Sequence, residues 1–240
     1  MFTHSVIRIY CYTYEVKYIS SIVALFAVVV AIFLVLHIQQ NNEVAVPKET
    51  TTEIILVQVN NNRSDIVSAL QSNLEKTFSE VHVTPNWSPI HIPSDVFDSE
   101  RKQYNASRII NHIDQVFTDR PSSQLILAVI VDDIYSGDLD FVFSSADREK
   151  NIGVISLYHL QQRIDMPPSN NAHEDILNIV NERVHKTALR IVGGIVGLRS
   201  EPTDGQECVM NFSNSLEELD DKGFEWCGNQ KDTLKAIGLL

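Results

Sequence analysis

Two periodicities of apolar and polar positions run along this chain, and the switches between them mark its elements. Ile19 to Leu36 is an unbroken run of apolar and small residues without charge, extended by Ile38. As a helix it reaches about 27–30 Å, enough for a bilayer core. Tyr10, Tyr12, Tyr14 and Tyr18 precede it, as in an interfacial aromatic belt. A cleaved signal peptide fits less well, since its apolar core spans about 7–15 residues and ends in small residues. Here the run is longer and continues into Leu36-His37-Ile38-Gln39-Gln40. Residues 19–38 are expected to form a transmembrane helix behind an N-terminal tail, residues 1–18. Residues 39–52 are mostly polar, contain Pro47, and read as a linker.

From Glu53 the pattern becomes that of a folded domain. Glu53–Val59 predicts a buried strand, and Ile66, Val67, Leu70, Leu74 and Phe78 then recur at helical spacing from Ser64 onward. Val81–Val83 reads as a short strand. Thr84–Asp98 holds Pro85, Pro89 and Pro93 and reads as an irregular loop. Arg101–Phe117 predicts a second amphipathic helix. Gln124–Val131 is almost wholly apolar, as a central strand covered on both faces would be. Phe141–Phe143 and Val154–Leu157 read as further strands. Residues 174–196 carry Ile176, Ile179, Val180, Val184, Thr187, Ile191 and Ile195 at helical spacing and predict one long helix. The order of elements implies an α/β domain, a mixed-sheet sandwich over residues 53–230, with 231–240 as a C-terminal tail.

A formal net charge of −12 over 240 residues excludes the basic face that general nucleic-acid binding needs. Arg8 and Lys17 precede the apolar run, whereas Glu43, Lys48 and Glu49 follow it. That asymmetry predicts a single-pass protein whose C-terminal domain is exported or lumenal. Residues 1–18 contain one acidic residue, Glu15, which leaves the mitochondrial inner membrane as the alternative. Asn62, Asn86, Asn105 and Asn211 each begin an N-x-S sequon. Pro89 disfavours Asn86, so Asn62 and Asn105 are the candidate glycan acceptors. Three cysteines are too few for a disulfide scaffold or an isolated four-cysteine zinc site. His173 and His185 do not stand at a chelating interval, Glu182 and His185 form a single unrepeated pair, and Asp132, Asp133, Asp138 and Asp140 lack the spacing of a calcium loop.

The chemistry concentrates at Leu189–Ser200, L-R-I-V-G-G-I-V-G-L-R-S, followed by Cys208-Val209-Met210-Asn211-Phe212-Ser213. With Val131-Asp132-Asp133-Ile134-Tyr135, Leu139 to Phe143, Gly153 to Leu157 and Phe224 to Cys227, this chain resembles the archaemetzincins, a metzincin family of zinc peptidases. The metzincin frame is H-E-x-x-H-x-x-G-x-x-H followed by a methionine turn. Laid on Arg190–Ser200, it puts Gly197 on the helix-turn glycine and Met210 on the turn methionine. In the family three histidines hold zinc and the glutamate acts as general base. Arg190, Ile191, Gly194 and Ser200 stand at those positions here. A protonated guanidinium has no lone pair to give, glycine has no side chain, a neutral serine is a poor zinc ligand, and isoleucine accepts no proton.

The resemblance therefore implies a former active-site helix with no catalytic residue, no metal and no cofactor, and an Arg190 guanidinium near the vacated metal position, paired with a carboxylate or carbonyl. It also implies remnants of a structural four-cysteine zinc site, of which Cys208 and Cys227 remain, with Glu201 or a neighbour across a slightly longer loop, and Gln230, in place of the others. The two cysteines then form either a disulfide or a pair of buried thiols. The function expected on this basis is that of a catalytically inactive, membrane-anchored structural subunit, held in the bilayer by residues 19–38 and docked to protein partners of a membrane complex. Peptide binding by strand addition around Phe141–Ser145 is the alternative, and a metallopeptidase with non-standard ligands a further one.

Overall fold

The computed structural model describes residues 51, 53–61, 63–162, 171–199 and 207–240. In chain order its elements are β1 (Glu53–Val59), α1 (Ser64–Thr77), β2 (His82–Ile90), a short 3-10 helix (Ser94–Val96), β3 (Phe97–Asp98), β4 (Gln103–Asn105), α2 (Ala106–Val116), β5 (Gln124–Ile130), β6 (Ile134–Tyr135), β7 (Ser144–Asp147), β8 (Ile152–Ser156), α3 (Leu157–Leu160), α4 (Ala172–Ile195), α5 (Leu216–Asp220) and α6 (Gln230–Ala236). The apolar run expected to span a membrane, residues 19–38, lies outside the described residues. No helix among those described is long and apolar enough to cross a membrane.

The main sheet has five strands in the order β2-β1-β5-β8-β7. The first four run parallel, and β7 closes the sheet antiparallel to β8. Side chains alternate across the pleat. Leu125, Leu127 and Val129 of β5 join Ile54 and Leu56 of β1 in a core with α1 and α4. Ile126, Ala128 and Ile130 join Val57 and Val59 in a second core with Ile109, Ile110 and Ile113 of α2. The sheet is thus covered on both faces, which is why its central strands read as continuous apolar runs. A second sheet, β3-β4-β6, is small.

Several expected boundaries move, each for a physical reason. The proline-bearing stretch after Val83 continues as β2 through Pro85 and Pro89. β2 is an outer strand, where a missing amide donor is tolerated. The helix expected from Arg101 begins at Ala106, because Asn105 caps it by accepting from the Arg108 amide at 3.1 Å. The strand expected at Phe141–Phe143 forms three residues later, as β7. The expected C-terminal tail instead contains α6, with Leu234 and Leu239 fully buried against the larger core.

Candidate functional site

The long helix α4 builds the site. Its buried face is apolar through Val180, Val184, Ala188, Ile191 and Ile195. Its last turns lie close to two neighbours by way of glycine. A Cβ on Gly193 would overlap Met210 Sδ and stand 2.9 Å from Trp226 Cζ3. A Cβ on Gly153 of β8 would overlap Ile191 Cγ2. These two glycines let helix, methionine turn and sheet approach more closely than any larger residue allows. Gly197 then ends the helix at φ +100°, a backbone conformation suited to glycine, while Leu198 N–H donates to Gly193 O at 2.8 Å.

The residues on the metzincin frame divide three ways. Arg190 is half-buried, and its guanidinium lies 5.0 Å above the Phe212 ring. Its buried Nε has no hydrogen-bond partner, and no carboxylate pairs with it among the described residues. The expected pairing partner is therefore not found. Ile191 is buried in the core between α4 and the sheet. Gly194 faces open space, since a Cβ there would meet nothing within 4 Å. Ser200 and Glu201 lie outside the described residues. Met210 is buried in the same core.

Two cavities adjoin beside α4, and they share Leu139, Val142, Ser144, Arg190 and Phe212. One, of about 400 Å³, runs along Ser144, Ser145 and Ala146 of β7 and reaches Gly194 and Met210. The other, of about 260 Å³, is walled by Phe141, Phe143 and Phe212 and carries three cations, Lys186, Arg190 and Lys222. Lys186 donates to the carbonyls of Leu219, at 3.3 Å, and Asp220, at 2.8 Å, at the C-terminal end of α5. Lys222 donates to the Asn211 carbonyl. Burial lowers the affinity of all three for their protons. For Lys222, burial together with repulsion from Arg190 and Lys186 brings the pKa from 10.5 down to about 8.

Lys186 escaped the sequence reading, although Arg183, Lys186 and Arg190 recur at helical spacing within an otherwise apolar pattern. Arg183 makes a different contact. It is buried, pairs with Asp220 at 2.7 and 2.6 Å, and donates to the carbonyls of Leu160 and Gln162. His159 also went unnoticed. It stands 3.1 Å from Asp133 and packs on Phe141 at 4.0 Å, behind the cavity wall.

Below the methionine turn a disulfide joins Cys208 to Cys227, with 5.5 Å between their α-carbons. Gln230 sits beside it, accepting from the Cys227 amide at 3.0 Å and donating to the Arg199 carbonyl at 3.0 Å. Hydrogen bonds and a disulfide thus hold the segments around Arg199, Cys208 and Cys227 together. Asn62 is outside the described residues. The Asn105 side chain is engaged as the cap of α2.

A mixed sheet, a long helix ending at a left-handed glycine and a buried methionine turn define a metzincin-like protein. The model of peptidase family M54 matches residues 49–236, and the chain belongs to that family. It is 28% identical over 182 residues to an archaemetzincin from Sulfolobus acidocaldarius, covering 76% of this chain and 96% of the relative. An archaemetzincin structure from Methanopyrus kandleri aligns with a TM-score of 0.62 at 25% identity, over 80% of this chain and 98% of its own. A zinc-dependent peptidase from Methanocorpusculum labreanum shares the fold, with a TM-score of 0.62 at 22% identity, over 75% and 99% of the two chains.

These matches correct the expected function and location. An inactive assembly subunit of a membrane complex is overturned by membership of a peptidase family and by relatives that are archaemetzincins over nearly their whole length. A single-pass, exported or inner-mitochondrial membrane protein is likewise set aside. The relatives are archaemetzincins, the family match begins after the apolar run, and no described helix is suited to a membrane. The family's zinc raises a separate question of fit. The described residues contain no group of three or more His, Cys, Asp or Glu able to hold a metal ion. At the helix positions a guanidinium, a core isoleucine and a glycine offer no lone pair to zinc. The donor set does not fit the three-histidine centre.

Proposed function

We propose that this chain acts on polypeptides as a member of the M54 peptidases, seating an extended segment in the cleft between β7 and α4. One observation carries the reading: β7 is the edge of the main sheet, and its residues Ser144, Ser145 and Ala146 line the larger cavity opposite Gly194 and Ile195. An edge strand presents backbone donors and acceptors to an incoming strand, and alternate side chains of that strand then enter flanking cavities. The smaller cavity continues the cleft past Arg190. Family membership supports a polypeptide as the substrate class.

The test uses the full chain and a library of unstructured peptides of ten to twelve residues. Hydrogen exchange is measured with and without peptide. Slowed exchange at β7 amides, with β2 at the opposite edge unaffected, is the expected result. Peptide binding that leaves β7 exchange unchanged, or no binding by any library member, counts against it. New peptide termini, read by mass spectrometry in the same mixtures, report hydrolysis.

A further inference from the structure

We infer that the smaller cavity is a carboxylate subsite, taking an Asp or Glu side chain of the polypeptide with Arg190 and Lys222 as its countercharges. The inference rests on the cleft reading above and narrows its substrate class to acidic segments.

Three cations line the cavity, and none of them makes a direct ion pair with a carboxylate among the described residues. Arg190, Lys186 and Lys222 all face it, in a chain whose formal net charge is −12. The acids that could neutralise them are engaged or exposed. Asp220 is held by Arg183 through both oxygens. Glu218 accepts from the Asn214 amide at 2.6 Å. Asp140 lines the cavity but is exposed. Both lysines are bonded to carbonyl oxygens, and no lysine–carboxylate pair involves them among the described residues.

The cavity also has buried polar atoms with nothing to bind. Arg190 and Ser213 both line it, and the buried Nε of one and Oγ of the other have no hydrogen-bond partner among the described residues. Each costs free energy while left unsatisfied. A carboxylate accepts about four hydrogen bonds and would answer the charge of the guanidinium and the ammonium groups at the cavity. Phe141, Phe143 and Phe212 give the wall apolar surface, which suits the methylene stem of an acidic side chain better than a fully hydrated inorganic anion. Lys222 also gives the site a pH signature. Its pKa of about 8 reflects burial and repulsion from Arg190 and Lys186, with attraction from Glu218 opposing them. Affinity should then fall as pH rises through 8.

The experiment compares three peptides by calorimetry against the full chain at pH 7. The first is capped at both ends with one central Glu, the second is its Gln isostere, and the third is the Gln peptide with a free C-terminus. The Glu peptide is expected to bind at least tenfold tighter than the Gln peptide. That gain should vanish in Arg190→Gln and in Lys222→Met, each checked for folding by thermal melt, and should shrink at pH 9. Equal binding of Glu and Gln peptides overturns the subsite while leaving the polypeptide reading intact. A gain carried by the free C-terminus overturns the side-chain assignment. N-acetylglutamate methylamide is the small probe. Its binding, lost in Arg190→Gln, with no peptide bound at any composition, supports the subsite and counts against the polypeptide reading. No binding of the small probe or of any peptide overturns both.

Discussion

At the scale of single residues, neighbouring glycines in α4 have opposite duties. Gly194 lies in the last turn of the helix with open space beside it. Replacing it with alanine removes backbone entropy from the unfolded chain and meets no obstacle. Gly194→Ala should therefore stabilise the protein by about 0.5–1 kcal/mol. Gly193→Ala adds the same methyl group against Met210 and the buried Trp226 ring. The thioether end can swing aside, but the indole sits in a packed core, so overpacking should cost about 1–3 kcal/mol and outweigh the helix-propensity gain. Urea denaturation of the two variants checks the pair. Equal midpoints would mean that the Gly193 contact is soft. The comparison bears on function, because the space above Gly194 is part of the larger cavity, and an alanine there narrows the cleft without disturbing the helix.

At the scale of elements, α5 is held from below by buried cations of α4. Arg183 pairs with Asp220 and with the carbonyls of Leu160 and Gln162 at the end of α3, while Lys186 donates to the last carbonyls of α5. Asp220→Ala removes the only carboxylate that Arg183 pairs with among the described residues and leaves its guanidinium buried. Complete burial of such an orphan costs about 3–5 kcal/mol; Asp220 is 42% exposed, so water replaces part of the loss and about 2 kcal/mol is expected. Thermal melts should show that loss, with faster amide exchange in α5 before the rest of the domain; uniform exchange across the domain would refute the tie. The sequence makes α4 legible because its apolar positions keep helical spacing over its length. It makes β5 legible because both faces are covered. It hides β2, since prolines at an outer strand and prolines in a loop look alike in composition. It also hides Lys186. A charge within a helical pattern reads as a solvated face, and nothing local tells that the carbonyls meeting Lys186 come from Leu219 and Asp220, more than thirty residues on. The frame glycine and turn methionine are legible for the opposite reason, because fixed spacing from one helix end carries them.

At the scale of the whole molecule, one half-buried base shapes the pH dependence of folding. An acidic chain loses net charge as pH falls, which weakens self-repulsion and by itself favours the compact state. His185 opposes this. It is packed between α1 and α4, with Nε2 3.3 Å from Thr77 Oγ1 and its ring 5.1 Å from that of Phe224. Burial, with a smaller contribution from the Lys76 charge, lowers its pKa from 6.5 to about 4. Between those values the unfolded chain binds a proton that the native protein refuses. The contribution is fully present above pH 6.5 and is lost as pH falls toward 4, a change of roughly 3 kcal/mol. Carboxylates titrate in the same range, but they do so equally in a variant that differs only at this position. His185→Gln keeps a polar atom for Thr77 and has no charge to acquire. At pH 7.5 the variant should be equal to or slightly less stable than the natural chain. By pH 4.5 the order should reverse by about 2–3 kcal/mol relative to pH 7.5. Urea midpoints measured for both proteins at pH 7.5, 6, 5 and 4.5 decide it: curves that converge and cross as pH falls support a buried neutral imidazole between the two helices, and curves that stay parallel remove His185 as the source of acid sensitivity.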